Sequence, residues 1–190
     1  MTRGFAFLVA AVTLLAGIGH ARAQGLDMRD VMGGGSFFGF GRSSPARREV
    51  VSFVSQYKPG TIYINTAERR LYLVLPQGQA LRYGIGVGRD GFRWSGVHRI
   101  SAKREWPGWT PPSQMLARRP DLPRHMAGGM ENPLGARAMY LGSTLYRIHG
   151  SNEPETIGQA VSSGCFRMTN DDVTDLYNRV SVGATVVVKN

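Results

Sequence analysis

Cysteine is the scarcest chemically informative residue of this chain, which has one cysteine and four histidines among 190 residues. One cysteine cannot form a disulfide within the chain, so intrachain disulfide bonds do not hold the fold together. His98 and His125 lack companions at zinc-ligand spacing, so we expect no metal site. No serine lies in a G-x-S-x-G pattern and no phosphate-binding loop occurs, and we expect no cofactor.

The sequence also lacks an apolar run long enough to span a membrane comfortably. Its longest run, Phe5–Ile18, has 14 residues, follows the positive Arg3 and precedes the A-x-A sequence Ala21-Arg22-Ala23. This arrangement predicts a secretory signal peptide over 1–23, with Gln24 as the first mature residue. We therefore expect a location in the periplasm or cell envelope, without an integral membrane segment after cleavage; an uncleaved anchor is the alternative.

Acidic residues are few, since 13 Asp and Glu oppose 23 Lys and Arg. Removing Arg3 and Arg22 with the signal peptide leaves 23 − 2 = 21 basic residues, and a charge of 21 − 13 = +8. Such an excess favours an anionic partner such as an envelope polymer, although a solvated basic surface explains it equally well. Export and the scattering of the arginines argue against nucleic acid.

Two regions of different composition follow the signal peptide. Residues 24–48 are rich in glycine and serine and predict a flexible tether. Residues 49–190 contain short β-branched or alternating runs separated by turn residues, which predicts a mainly β (α+β) domain that begins as a β-meander. The predicted strands are Val50–Val54, Thr61–Asn65, Arg70–Leu75, Gln79–Val87, Val97–Ser101, Ala138–Leu141, Leu145–His149 and Ala184–Val188.

The clearest helix begins after Thr169, which has capping-box spacing to Asp172. Its apolar residues recur at helical spacing and form one face. By contrast, the G-x-G-x-x-G sequence at 86–91 is followed by a strand-like run. A dinucleotide site requires a helix there, so we predict a wide hairpin turn instead.

Residues 102–137 are rich in Pro, Gly, Trp and Arg and predict a long lid-like loop with one helical turn at Ser113–Arg118. Trp106 and Trp109 are candidates to line a cleft. Three arginines of this loop are candidates to bind carboxylates: Arg118, Arg119 and Arg124. A surface insertion without ligand contacts is the alternative.

The most informative stretch is His149–Arg167, which contains the only cysteine, Cys165. An isolated cysteine is most often a small buried hydrophobe. Here, however, small residues flank both His149 and Cys165, and an exported free thiol is exposed to oxidation without benefit unless it has a function. An imidazole near a thiol takes its proton and activates it as a nucleophile, so we predict a catalytic Cys–His pair.

The sequences HGSN at 149–152 and SGCFRM at 163–168 resemble the paired motifs of the L,D-transpeptidase catalytic domain (YkuD) family. The resemblance extends from about Val50 to Val188. Two departures occur: Ser163 stands where many members have histidine, and Phe166 replaces the usual Ile or Val. The resemblance implies a mixed-strand β-sandwich with a lid-like loop and a helix in the C-terminal region.

The resemblance also implies roles for residues around the motifs. Cys165 matches the nucleophile and His149 its base, while Gly150 or Ser151 would orient the imidazole through a backbone carbonyl. N–H groups around Ser163, Gly164 and Cys165 are candidate oxyanion donors. Arg167 would structure the loop or favour the thiolate.

Four further residues are candidate substrate-binding positions: Trp94, Trp106, Trp109 and Asn152. The implied substrate is a peptidoglycan stem peptide, cleaved after its third residue, often meso-diaminopimelate, with release of D-alanine. The acyl group then passes to a stem amine or to the lysine of an envelope protein. Two alternatives stay open: an L,D-carboxypeptidase that uses water, and a non-enzymatic peptidoglycan-binding protein.

Overall fold

The runs of β-branched residues after position 48 form the strands of a mixed sheet. A computed structural model of the chain describes residues 47–190. The predicted signal peptide and nearly all of the predicted tether lie outside these residues. None of the helices described here is long and apolar enough to cross a membrane.

The described strands have the following bounds: β1 Glu49–Ser52, β2 Ile62–Asn65, β3 Arg70–Leu75, β4 Gln79–Gly84, β5 Val87–Gly88, β6 Gly96–Glu105, β7 Arg137–Leu141, β8 Arg147–His149, β9 Ala160–Ser162, β10 Phe166–Arg167 and β11 Thr185–Lys189. Within residues 47–190, nine of them form one sheet in the order β1-β4-β3-β2-β11-β6-β7-β8-β10, and β5 pairs with β9. The predicted β-meander is confirmed, because β2, β3 and β4 are consecutive antiparallel neighbours.

A bulge in β6 curls the sheet. Gly96–Arg99 of β6 pair with β11, whereas β6 pairs with β7 from Ile100 onward, and the β6–β7 register shifts between Ile100 and Ala102. Strands that change partners at a bulge let one sheet fold over itself. The curled sheet encloses a core of buried apolar residues that includes Ile62, Tyr83, Ile100, Ile148, Phe166 and Val186. The mainly β, mixed-strand prediction is confirmed.

Two helices accompany the sheet, α1 at Ser113–Arg118 and α2 at Asn170–Arg179, with a 3-10 turn at Pro154–Thr156. The predicted cap of α2 is confirmed, since the Asp172 N–H donates to Thr169 Oγ1 at 3.2 Å. Val173 and Leu176 are fully buried, as their spacing predicts.

Three boundary predictions are wrong. The predicted strand Gln79–Val87 breaks at Gly84, and Val87–Gly88 pairs with Ala160–Ser162, so 86–91 is not a hairpin turn. No helix follows these glycines either, since the next element is a strand. The long loop begins after Glu105 rather than at 102, because β6 continues beyond its bulge.

Candidate active site

The parallel pairing of β8 and β10 brings the two motifs together. Phe166 pairs with Ile148, and Arg167 pairs with His149. Ile148 and Phe166 are 0% and 1% exposed and point into the core. Because successive side chains of a strand alternate between its faces, the flanking residues point to the opposite face. Four residues of this opposite face line one cavity: Arg147, His149, Cys165 and Arg167.

The cavity has a volume of about 330 Å³ and is bounded on three sides. β8 and the segment from Ser162 to Arg167 form one wall. Residues 109–118 and 133–134 of the long loop form a second wall, and Phe92 lies at a third edge. Its lining is Phe92, Trp109, Pro112, Gln114, Met115, Arg118, Pro133, Leu134, Leu145, Tyr146, Arg147, His149, Ser162, Ser163, Cys165 and Arg167.

The imidazole of His149 has a defined tautomer. Its Nδ1 lies 2.6 Å from the carbonyl oxygen of Gly150. A carbonyl only accepts hydrogen bonds, so Nδ1 carries the proton and Nε2 retains its lone pair. Burial, together with the nearby charges of Arg167 and Arg147, lowers the pKa of His149 to about 3, although the Gly150 hydrogen bond acts to raise it. The side chain is therefore a neutral base near pH 7.

Asn170 holds the turn that orients this imidazole. Its Oδ1 accepts hydrogen bonds from the N–H groups of Ala136 at 2.9 Å and Ser151 at 3.3 Å. A Cβ at Gly150 would lie 2.3 Å from the same oxygen, so only glycine fits there. Asn170 Oδ1, at the start of α2, thus connects the end of the long loop with the HGSN motif.

The Cys165 thiol is partly exposed to the cavity and lies 3.8 Å from the carbonyl oxygen of Leu145. Burial raises the pKa of Cys165. Hydrogen bonding from the backbone and side chain of Arg147, and the charges of Arg147 and Arg167, act in the opposite direction on that pKa. At rest the cavity is therefore lined by a protonated thiol and a neutral imidazole.

Ser162 closes the loop that carries the thiol. Its hydroxyl accepts from the Gly164 N–H at 3.1 Å and donates to the carbonyl oxygen of Cys165 at 2.6 Å. The Gly164 N–H is therefore engaged within the loop, which corrects its expected role as an oxyanion donor. Within residues 47–190, the N–H groups of Ser163 and Cys165 have no hydrogen-bond acceptor.

Trp94 supports this loop from behind. Its Nε1–H donates to the Gly164 carbonyl at 2.8 Å, and its ring stacks on Tyr146 with centroids 4.4 Å apart. It also contacts Phe166 in the core. Trp94 does not belong to the cavity lining formed by the described residues, so its expected substrate contact is replaced by a supporting role.

The other predicted binding residues divide between the cavity and the surface. Trp109 and Arg118 line the cavity, whereas Trp106, 44% exposed, and Asn152 are outside the lining given by the described residues. Asn152 instead donates to the Glu131 carbonyl at 3.1 Å.

The loop arginines and Arg167 also have defined partners or positions. Arg119 pairs with Asp121 at 2.6 Å on the surface, and Arg124 is exposed. Arg167 forms an ion pair with Glu153 at 2.9 Å.

Four residues that the sequence predictions omitted contribute directly to this geometry: Tyr146, Arg147, Ser162 and Asn170. The alternation of β8 could have indicated Arg147, because it lies two residues before His149 on the same face. The contacts of Asn170 connect positions 34 and 19 residues apart, and no local pattern predicts them.

Comparison with known proteins identifies the family to which the chain is similar. A family model described as the L,D-transpeptidase catalytic domain (YkuD) matches residues 59–188. The Escherichia coli protein "Probable L,D-transpeptidase ErfK/SrfK" is 38% identical over 136 residues, which cover 67% of this chain and 43% of that protein. The chain thus spans under half the length of this curated relative.

Solved structures share the fold. A Brucella melitensis protein described as a "Probable carnitine operon oxidoreductase caia" is 50% identical, with a TM-score of 0.52 over 76% of this chain and 94% of that one. L,D-transpeptidase 3 from Mycobacterium tuberculosis, carrying a faropenem-derived adduct, is 15% identical, with a TM-score of 0.56 over 68% of this chain and 60% of that one. With a family match that covers 59–188 of 190 residues, the chain belongs to the L,D-transpeptidase catalytic domain family.

Proposed function

We propose that this chain is a cysteine-dependent peptidoglycan L,D-transpeptidase of the cell envelope. The observation that supports it most directly is the arrangement of one cysteine and one histidine with a free Nε2 on paired strands facing one cavity. The donor is a tetrapeptide stem whose third residue is meso-diaminopimelate, and the acceptor is an amine.

In the first step Cys165 attacks the carbonyl carbon of the third stem residue. His149 Nε2 accepts the thiol proton as the Sγ–C bond forms, and the carbonyl becomes an oxyanion. The N–H groups of Ser163 and Cys165 are the proposed donors to that oxygen. When the C–N bond breaks, the imidazolium returns the proton to the departing amine of D-alanine, which leaves a thioester on Cys165.

In the second step an amine attacks the thioester carbonyl. His149 Nε2 takes a proton from the attacking nitrogen, the C–S bond breaks, and the proton returns to the sulfur. A stem amine gives a 3→3 crosslink, and the lysine of an envelope protein gives covalent attachment of that protein to the wall. Cleft shape and water exclusion determine which acceptor reacts.

Product analysis with a defined disaccharide-tetrapeptide donor tests this proposal. The chain should release D-alanine and form crosslinked dimers, and Cys165→Ala should form neither. Release of D-alanine with tripeptides as the only other product would replace the transpeptidase with an L,D-carboxypeptidase. If Cys165→Ala retains the full function of the native chain, a non-enzymatic binding role replaces both.

A carbapenem tests the nucleophile without a peptide substrate. Because the chain contains a single cysteine, one covalent adduct in the intact mass that Cys165→Ala fails to form would locate the reaction at Cys165. His149→Ala should slow adduct formation at pH 7, since the base that removes the thiol proton is then missing. Folded protein that forms no adduct would contradict the mechanism.

A further inference from the structure

Arg147 is the cationic residue that lies opposite Cys165 across the strand pair. Phe166 pairs with Ile148, so Cys165, one residue earlier, lies beside Arg147 on the cavity face. Arg147 Nη1 and Cys165 Sγ both approach the carbonyl oxygen of Leu145, at 3.3 Å and 3.8 Å. The guanidinium and the sulfur are thus close neighbours in the folded chain.

The guanidinium of Arg147 has an unused donor. Its Nη1 donates to the Leu145 carbonyl at 3.3 Å, and its planar group lies 5.2 Å from the centre of the Tyr140 ring. Its Nε is buried without a hydrogen-bond partner among the described residues. A buried donor without an acceptor is costly, so the Nε–H of Arg147 is available to a group that becomes negative beside it.

Arg147 also lacks the charge partner that Arg167 has. Arg167 pairs with Glu153 at 2.9 Å, whereas no acidic residue within 47–190 forms an ion pair with Arg147. The cavity lining formed by the described residues contains three arginines and no carboxylate. A negative charge on the sulfur would therefore supply a counterion that Arg147 lacks at rest.

The imidazole cannot serve as that counterion in the resting site. His149 is buried, donates its Nδ1–H to Gly150 and lies near two arginines, and it is therefore neutral. A thiolate that persists after the proton has left needs a permanent cation, because burial of an unpaired charge is costly. Arginine remains charged throughout the accessible pH range.

We infer that Arg147 holds the negative charge of Cys165 when the thiol is deprotonated, with its free Nε–H as a donor to the sulfur. In this step the thiol proton leaves through His149 Nε2 to water, and the charge stays on Sγ beside the guanidinium. This role of Arg147 would serve the proposed transpeptidase reaction and rests on that proposed function. The alkylation experiment that tests it does not require transpeptidase activity.

Alkylation of Cys165 by iodoacetamide measures the thiolate directly. The neutral probe forms a C–S bond with loss of iodide, and the single cysteine makes the intact-mass adduct specific to this site. The rate rises with pH through the pKa of the thiol. Arg147→Met should move the midpoint of this rise upward by about one pH unit or more, and Arg147→Lys by less, since lysine keeps the charge.

Arg99→Met is the matched control. Arg99 also donates to a backbone carbonyl, that of Gly183 at 3.0 Å, but lies on β6 outside the cavity lining. It should leave the midpoint unchanged. An equal midpoint in wild type and Arg147→Met, with both proteins folded by near-ultraviolet circular dichroism, overturns the inference.

A second variant keeps the test decisive if Arg147→Met does not fold. In His149→Ala the midpoint should stay within about half a pH unit of wild type, because a neutral imidazole contributes no charge. A midpoint raised by a full unit in His149→Ala would assign the counterion to the imidazole and overturn the inference. Because the probe is not a peptide, loss of crosslinking activity leaves both measurements valid.

Discussion

At Gly164 the loop that carries the nucleophile turns through a conformation that only glycine adopts readily. The residue has φ of +106°, and a Cβ would lie 2.6 Å from the Tyr146 ring. Trp94 stacks on the same ring and donates a hydrogen bond to the Gly164 carbonyl. The ring therefore cannot move away without disturbing the support of the loop.

Gly164→Ala should reduce the rate of carbapenem adduct formation at Cys165 by at least about tenfold, because the displaced loop no longer positions the sulfur. Gly183→Ala is the control, since Gly183 has φ of +93° but open space around its Cβ position. It carries similar backbone strain, about 1 kcal/mol in the free energy of unfolding, without the clash. Equal adduct rates in both variants would contradict the role of the Tyr146 contact.

His149 should make the stability of the fold depend on pH. Its pKa is lowered to about 3 from 6.5, so the unfolded chain binds more protons than the folded chain between these values. The neutral, buried His149 contributes fully to the free energy of unfolding above about pH 6.5. This contribution is lost as the pH falls toward 3. Between pH 6.5 and 5 the loss should be up to about 2 kcal/mol.

Urea unfolding of wild type and His149→Gln at pH 7 and pH 5 measures this loss. The variant has no titrating group at the position, so the free energy of unfolding should fall less between the two pH values than in wild type. Equal falls would mean that the imidazole is not buried as a neutral group.

The two residues proposed to react could be singled out from the sequence, but the residues that position them could not. His149 and Cys165 have recognisable flanking residues. Asn170 has only the pattern of a residue at the start of a helix, and its contacts with Ala136 and Ser151 depend on the complete fold. From the sequence Trp94 is expected to bind substrate, but it supports the loop of Cys165 instead. The sequence could not distinguish these two roles, because an aromatic side chain can either line a cleft or pack behind a loop.

At the scale of elements, α2 is tied to the sheet at its C-terminal end by one lysine of β6. Lys103 Nζ donates to the carbonyl oxygens of Tyr177 and Val180 at 2.6 Å each and lies 4.0 Å from the centre of the Tyr177 ring. Burial lowers its pKa. A cation at this end of a helix satisfies carbonyls that have no partner within the helix and interacts favourably with the helix dipole.

Lys103→Met should therefore lower the free energy of unfolding by about 1–3 kcal/mol, because two charged hydrogen bonds are lost. Arg104→Met is the matched control, since Arg104 is the exposed next residue of the same strand and donates only to the Lys103 carbonyl. Urea unfolding of both variants gives the comparison. A loss of the same size in Arg104→Met would contradict the capping role.

Elements long enough to show an alternating or helical pattern of apolar residues could be predicted from the sequence, whereas the shortest strands could not. The predicted start of α2 has both a cap and an apolar face, and the structure bears out both. β5, β9 and β10 have only two or three residues each, too few for an alternating pattern. Their pairing depends on neighbours far along the chain, and it is this pairing that brings Cys165 beside β8.

At the scale of the molecule, the sheet depends on the last strand of the described chain. β11 is parallel to β2 on one side and antiparallel to β6 on the other, so it joins β1–β4 to the strands that carry the site. Val186, Val187 and Val188 are buried in this position. Without β11, both β2 and β6 become open edges.

Deletion of residues 185–190 should abolish cooperative unfolding, because the two groups of strands lose their common neighbour. Deletion of Asn190 alone is the control. It removes one hydrogen bond, from Thr66 Oγ1 to Asn190 Oδ1, and should cost about 1 kcal/mol. A cooperative thermal transition in the longer deletion would show that β2–β4 and β6–β8 fold without a central strand.

The position of β11 between β2 and β6 also determines when the sheet can be completed during synthesis of the chain. The ribosome makes β11 after every other strand described here, yet Ile62 must pair with Val186 before the sheet is continuous. Contacts over such long sequence separations form slowly, and two open strand edges invite association with other nascent chains. Cys165 is therefore synthesised before the sheet around its cavity can be completed.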